Sequence, residues 1–147
     1  MNLQESREQL FKHLSWEIQD RHVIEAMKRV PRERFVPPEL RDAAYEDHPL
    51  SIGFGQTISQ PFIVAAMLQA LELKRTDSVL EVGTGSGYVA AILGELAATV
   101  VSVEIVPRIS GGGFKFADVQ MEVRGKDLDR MDEYCRRIIE KMVASGG

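Results

Sequence analysis

A chain of 147 residues is long enough for one domain with a real core and short for two. Its 44% apolar and 27% charged residues are the balance of an ordinary soluble globular protein, and a net charge of −4 argues against a broad electrostatic grip on nucleic acid. No apolar run reaches membrane-spanning length, the start MNLQESREQLFKHL is charged and amphipathic unlike a signal peptide, and the single Cys135 excludes an intrachain disulfide or a thiolate cluster. The expected setting is the cytoplasm, with neither a membrane nor nucleic acid as partner.

Leu3, Leu10, Phe11, Leu14 and Ile18 are close to helical spacing, so a helix is expected over 2–18, with Trp16 most simply read as core. Asp20 is placed to cap a second helix carrying Val23, Ile24, Met27 and Val30 and ended by Pro31. The nearby Arg29, Arg32 and Arg34 read as a solvated face. From Pro31 to Pro61 no period persists, and prolines and glycines mark a structured loop. It holds Phe35, Val36, Tyr45, Leu50, Ile52 and Phe54, too apolar for a disordered linker, and loops of that length are usually functional. A helix over 61–71 follows, with Ser59 placed to cap its first turn and Pro61 tolerated there.

Next comes a short apolar strand at 78–82, a glycine turn, a helix from near Ser86 to about Ala97 and a strand at 99–104. Strand, helix and strand in this order predict a parallel βαβ unit. Beyond Pro107 the glycines at 111–113 suggest a hinge. Val119, Met121 and Val123 alternate with Gln120, Glu122 and Arg124, the pattern of an antiparallel or edge strand. Asp127 then opens a helix with Leu128, Met131, Cys135, Ile138 and Met142 on one stripe, where Cys135 reads as a small buried hydrophobe. His13, His22 and His48 share no metal-ligand spacing and read as surface or packing residues; no metal site is expected.

The turn carries Gly83, Gly85 and Gly87, a G-x-G-x-G run with tyrosine at position 88 rather than the dinucleotide fingerprint. Glu81 ends the strand before it, and Glu104 ends the next strand about 20 residues on, where a carboxylate can accept from both ribose hydroxyls of an adenosine. Two carboxylates with no Lys or Arg in the turn would repel a pyrophosphate. A nucleoside with a cationic or zwitterionic tail fits better, and S-adenosylmethionine is such a molecule. A tight connection that binds nothing is the competing reading.

The run VLEVGTGSGY, followed by VSVE ending at Glu104, resembles the first motif and second strand of class I S-adenosylmethionine-dependent methyltransferases. RVPRERFVP, YEDHPL and IGFGQTISQP, the last ending at Pro61, are similar to the protein-L-isoaspartate O-methyltransferase family. The likeness covers roughly residues 5–107. It implies a Rossmann-like α/β fold, S-adenosylmethionine as cofactor on Glu81, Gly83, Gly85, Gly87 and Glu104, and methyl transfer to the α-carboxyl of L-isoaspartyl residues in damaged proteins. It places Ser59 beside the acceptor carboxylate, with Thr57 and Gln60 shaping the pocket. The acceptor is ionised at neutral pH, so the site needs alignment and exclusion of water more than a strong base, and the N-terminus of the helix after Ser59 favours an anion.

The expected fold class is therefore α/β: a partial Rossmann-like methyltransferase sheet with N-terminal helices and a C-terminal β–α unit. Residues 1–107 form the methyltransferase-like part, 108–113 a glycine-rich hinge, and 114–147 a β–α unit resembling small α+β dimerisation modules. That unit is expected to pack on the sheet, its strand pairing with the edge of 99–103, or to mediate dimerisation through an exposed strand edge. The alternative is a truncated or chimeric, non-catalytic nucleoside-binding module joined near 108–113.

Overall fold

The computed structural model describes residues 2–53, 55–110 and 113–125. Helix α1 (Leu3–Glu17) begins at a capping box. The Asn2 side chain accepts from the Glu5 N–H at 2.9 Å, and the Glu5 carboxylate accepts from the Asn2 N–H at 3.0 Å, which satisfies donors that a helix start leaves open. Its inner stripe buries Leu10, Phe11 and Leu14. Trp16 is not core: it is 71% exposed, with the Lys12 ammonium 6.0 Å from its ring centroid. Helical geometry explains the correction, since two residues past Leu14 is about 200° round the helix and faces away from the stripe.

Helix α2 (Arg21–Arg29) is capped by Asp20 as expected, the carboxylate accepting from the His22 N–H at 2.8 Å and the Val23 N–H at 3.4 Å. Lys28 and Arg29 occupy its last turn, where cations suit the helix dipole. The corner before it is pinned to helix α3 (Pro61–Ala70), whose Gln69 side chain accepts from the N–H groups of Gln19 and Asp20 at 2.7 and 2.9 Å. Helix α4 (Tyr88–Leu96) completes the layer. Leu14, Val23, Met27, Val64, Leu68, Tyr88 and Ile92 meet in one core that reaches Val100 of the sheet. Truncating a fully buried member such as Leu14 costs about 2–5 kcal/mol.

Between α2 and α3 the expected irregular loop holds short ordered pieces. Short 3₁₀ helices cover Arg32–Phe35 and Pro38–Ala43, and a hairpin joins β1 (Leu50–Gly53) to β2 (Gln56–Ile58), antiparallel. Elements of three to six residues are too short to repeat a hydrophobic period. Arg32 departs further from expectation: instead of lying on a solvated face it is fully buried. Its Nε donates to the Ala44 carbonyl at 2.8 Å and its guanidinium lies 5.1 Å from the Tyr88 ring centroid, while Nη1 and Nη2 meet no hydrogen-bond acceptor among the described residues. Burial pulls its pKa down and raises that of the Tyr88 hydroxyl to about 12.

The main sheet has the order β3-β4-β5. β3 (Ser78–Val82) and β4 (Thr99–Ser110) are parallel, with Val79 beside Val100 and Val82 beside Val103, so the predicted βαβ unit around α4 is present. β4 runs well past residue 104, and its register shifts between Ile105 and Pro107, the kind of irregularity at which a strand tolerates proline. β5 (Gly113–Gly125) pairs antiparallel with it, Val123 opposite Val101 and Met121 opposite Val103. The strand expected to cover the 99–103 edge does so. Ser110 is in register with Gly113; Gly111 and Gly112, Cys135 and the helix expected after Asp127 lie outside the described residues. Among the described residues β3 is an edge strand, with Leu80 48% and Val82 64% exposed, and no helix is long and apolar enough to cross a membrane.

Candidate functional site

The glycine turn is built directly on the parallel pair. After Val82 the N–H groups of Gly83 and Thr84 both donate to the Val103 carbonyl, at 2.7 and 3.3 Å, so the chain leaves β3 while still held by β4. The turn closes with Gly87 N–H on the Thr84 carbonyl at 2.8 Å, and α4 starts at Tyr88 with Gly87 as N-cap, two residues later than expected. Gly83 and Gly87 have φ of +88° and +81°, and a Cβ on either would meet nothing within 4 Å. The backbone is therefore left-handed and open to a ligand at both places, which is what glycine permits and other residues resist. Gly85, at φ +54°, is roofed by Ile52 of β1, whose Cδ1 would sit 3.3 Å from a Cβ there.

The Gly85 N–H donates to the Glu104 carboxylate at 2.5 Å. The other carboxylate oxygen of Glu104 accepts from the Gln56 side chain at 3.4 Å. Glu104 is thus aimed at the mouth of the turn from the end of the first half of β4, as its spacing suggested. Glu81 is half-buried and its carboxylate accepts from the Ser102 hydroxyl, across the register pair that those two residues form. The two acids therefore belong to one sheet end, with Glu104 directly on the turn and Glu81 tied to the strand behind it.

Thr57 and Ser59 are exposed, at and just beyond β2, whose Ile58 is buried opposite Leu50. Gln56 connects this hydroxyl-bearing hairpin to Glu104. Ser59 is not the cap of α3. Gln60 occupies the N-cap position without a side-chain cap bond, and the Phe62 N–H donates instead to the Asp47 carboxylate at 2.8 Å. The second Asp47 oxygen accepts from the Gln60 amide at 3.2 Å. The Ser59 hydroxyl makes no hydrogen bond among the described residues. This also amends the idea that the N-terminus of α3 waits for a substrate anion: Pro61 has no N–H and Asp47 already occupies the next donor.

Sequence reasoning missed Asp47, Gln56 and Ser102. Asp47 caps a helix from well upstream, so no local capping pattern reveals it. Next to it, His48 is bonded through Nδ1 to the Pro49 carbonyl and through Nε2 to the Glu46 carboxylate, at 2.9 and 2.7 Å, and these contacts raise its pKa. No group of three His, Cys, Asp or Glu side chains able to hold a metal occurs among the described residues.

The parallel βαβ unit, its open glycine turn and the helical layer define a Rossmann-like fold of the class I methyltransferase type. A family model described as Protein-L-isoaspartate(D-aspartate) O-methyltransferase matches residues 5–117, about ten residues beyond the likeness legible by eye. The chain belongs to that family. It is 57% identical over 101 residues to protein-L-isoaspartate O-methyltransferase 2 of Marinobacter nauticus, covering 69% of this chain and 46% of that protein. It is 60% identical over 93 residues to the protein-L-isoaspartate O-methyltransferase of Methanoculleus marisnigri, covering 63% and 42%. A Plasmodium falciparum protein assigned to the same activity, crystallised with S-adenosyl-L-homocysteine, superposes with a TM-score of 0.58 at 28% identity, covering 68% of this chain and 49% of that one. The chain spans less than half the length of these relatives.

Proposed function

We propose that this chain binds S-adenosylmethionine at the glycine turn and serves methyl transfer to the α-carboxyl of L-isoaspartyl residues in damaged proteins. The observation that carries the reading is the Glu104 carboxylate held at 2.5 Å by the Gly85 N–H, beside glycines whose outer side is open. A carboxylate fixed in this way offers acceptor oxygens to vicinal ribose hydroxyls, and Gly83 and Gly87 let the ligand approach the backbone. Glu81, braced by Ser102, adds negative charge that suits a sulfonium and opposes a phosphate. When bound, the cofactor would supply an electrophilic methyl group to an acceptor carboxylate oxygen, with Glu104, Gly83 and Gly87 the residues that would hold its nucleoside.

No proton moves in that step, so the chain need only bind and align. The hydroxyls of Ser59 and Thr57 donate to the acceptor carboxylate, and Gln60 shapes the pocket beside them. Alignment of this kind is the larger part of what a site contributes when no acid or base is needed. Isoaspartyl peptides and proteins are the proposed partners. Residues 1–107 carry the cofactor part. A second copy meets the open β3 edge near Leu80 and Val82, which light scattering tests directly. The single cysteine fits a reducing compartment such as the cytoplasm.

The deciding experiment is transfer of a labelled methyl group to an isoaspartyl peptide, with the matching aspartyl peptide as control. Ester formed on the isoaspartyl peptide alone supports the reading. Label on neither peptide, from a chain that binds the cofactor, supports the alternative of a non-catalytic nucleoside-binding module.

A further inference from the structure

We infer that Asp47 is a positioning residue for the acceptor hydroxyl, a role that deepens the proposed function and rests on it. Each oxygen of its carboxylate holds a different part of the segment that carries Ser59. One accepts from the Phe62 N–H at 2.8 Å and so caps α3; the other accepts from the Gln60 side-chain amide at 3.2 Å. Between them the carboxylate spans the turn from Ser59 into the helix, from a loop 13 and 15 residues upstream.

The consequence for Ser59 is chemical. The side-chain oxygen of a cap residue accepts from the first free N–H groups of its helix, which fixes that side chain's rotamer. Here Asp47 supplies the cap and Ser59 stands one residue before the N-cap Gln60, so its exposed hydroxyl is tied to no cap bond and can turn to donate to an incoming carboxylate. Pro61 reinforces the arrangement, because it fixes φ and has no N–H of its own to compete for Asp47.

The test uses the whole chain and three readouts: cofactor affinity by calorimetry, the affinity of an isoaspartyl peptide with S-adenosylhomocysteine present, and amide hydrogen exchange at Phe62. Asp47→Ala removes the acceptor from both the Phe62 N–H and the Gln60 amide. It is expected to weaken peptide affinity about tenfold, the loss of roughly one hydrogen bond, with cofactor affinity within about twofold of wild type. Asp47→Asn keeps an acceptor for the Phe62 N–H, and its NH₂ donates to a flipped Gln60 amide, so it is expected to keep peptide affinity within about twofold of wild type. Asp47→Ala should also speed exchange at Phe62. Unchanged peptide affinity in Asp47→Ala, or a loss in Asp47→Asn equal to that of the alanine variant, overturns the assignment while leaving the cofactor site standing. A wild-type chain that binds cofactor but no peptide refutes the acceptor reading and this role with it.

Discussion

Replacing Gly85 by alanine separates the two things that glycine does in the turn. Its φ of +54° lies in the left-handed region, where a Cβ costs roughly 1–2 kcal/mol. Alanine also restricts the unfolded chain, which returns about 0.4–1 kcal/mol. A net loss of about 1 kcal/mol follows from the backbone alone. The added methyl meets Ile52 Cδ1 at 3.3 Å, tighter than ordinary contact, but that atom ends a flexible, half-buried side chain and can rotate away. The steric part of the energy is therefore small, while its effect on position is not, since Ile52 belongs to the hairpin bearing Thr57. Gly87→Ala is the control: φ is +81°, and nothing lies within 4 Å. Urea unfolding should lower the midpoint of both variants by about half a molar, given a slope of about 1–3 kcal/mol per molar. Amide shifts at 56–59 should move in Gly85→Ala and stay in place in Gly87→Ala. Equal movement in both, or a Gly85→Ala chain as stable as wild type, would refute the reasoning.

The other expectations concern charge. The pKa of His48 is raised first by its bond to the Pro49 carbonyl and then by Glu46, so the protonated form is favoured in the folded state. That stabilisation is complete below the ordinary histidine pKa of 6.5 and is lost as pH rises through the higher folded value. With the side chain 49% exposed the effect should stay below about 1 kcal/mol, and it should vanish from the urea pH profile of His48→Gln. Arg32→Ala should cost about 2–5 kcal/mol through lost packing on Tyr88 and an unpaired Ala44 carbonyl. Arg32→Met, which fills the space without a buried cation, should recover most of it; a methionine variant as unstable as the alanine one would mean that the charge itself is needed.

Much of the frame was legible because its signals are local. Asp20 caps α2 from the adjacent residue, the 78–104 pattern of strand, glycines, helix and strand is a βαβ unit, and the alternation at 119–124 marks a strand with one apolar side that pairs on the open edge. What was not legible depends on contacts distant in sequence. Ser59 looks like a cap until Asp47, from another loop, takes its place. Arg32 sits in a run of three arginines that reads as a solvated face, and only the packing of Tyr88 and the Ala44 carbonyl sends it inward. Trp16 was the exception, since angular position on α1 alone puts it outside. For the candidate site, the spacing placed Glu104 at the turn, whereas the Gln56 bridge to the hairpin and the Ser102 brace on Glu81 have no sequence signature.

Calorimetric titration of S-adenosylmethionine into the wild-type chain and into Glu104→Ala bears most directly on the nucleoside site. The account predicts saturable binding by the wild type and a loss of about tenfold or more in the variant, since a charged acceptor holding two hydroxyls contributes at least about 1.5 kcal/mol. Equal affinity in the two proteins, or no binding by either, would contradict it.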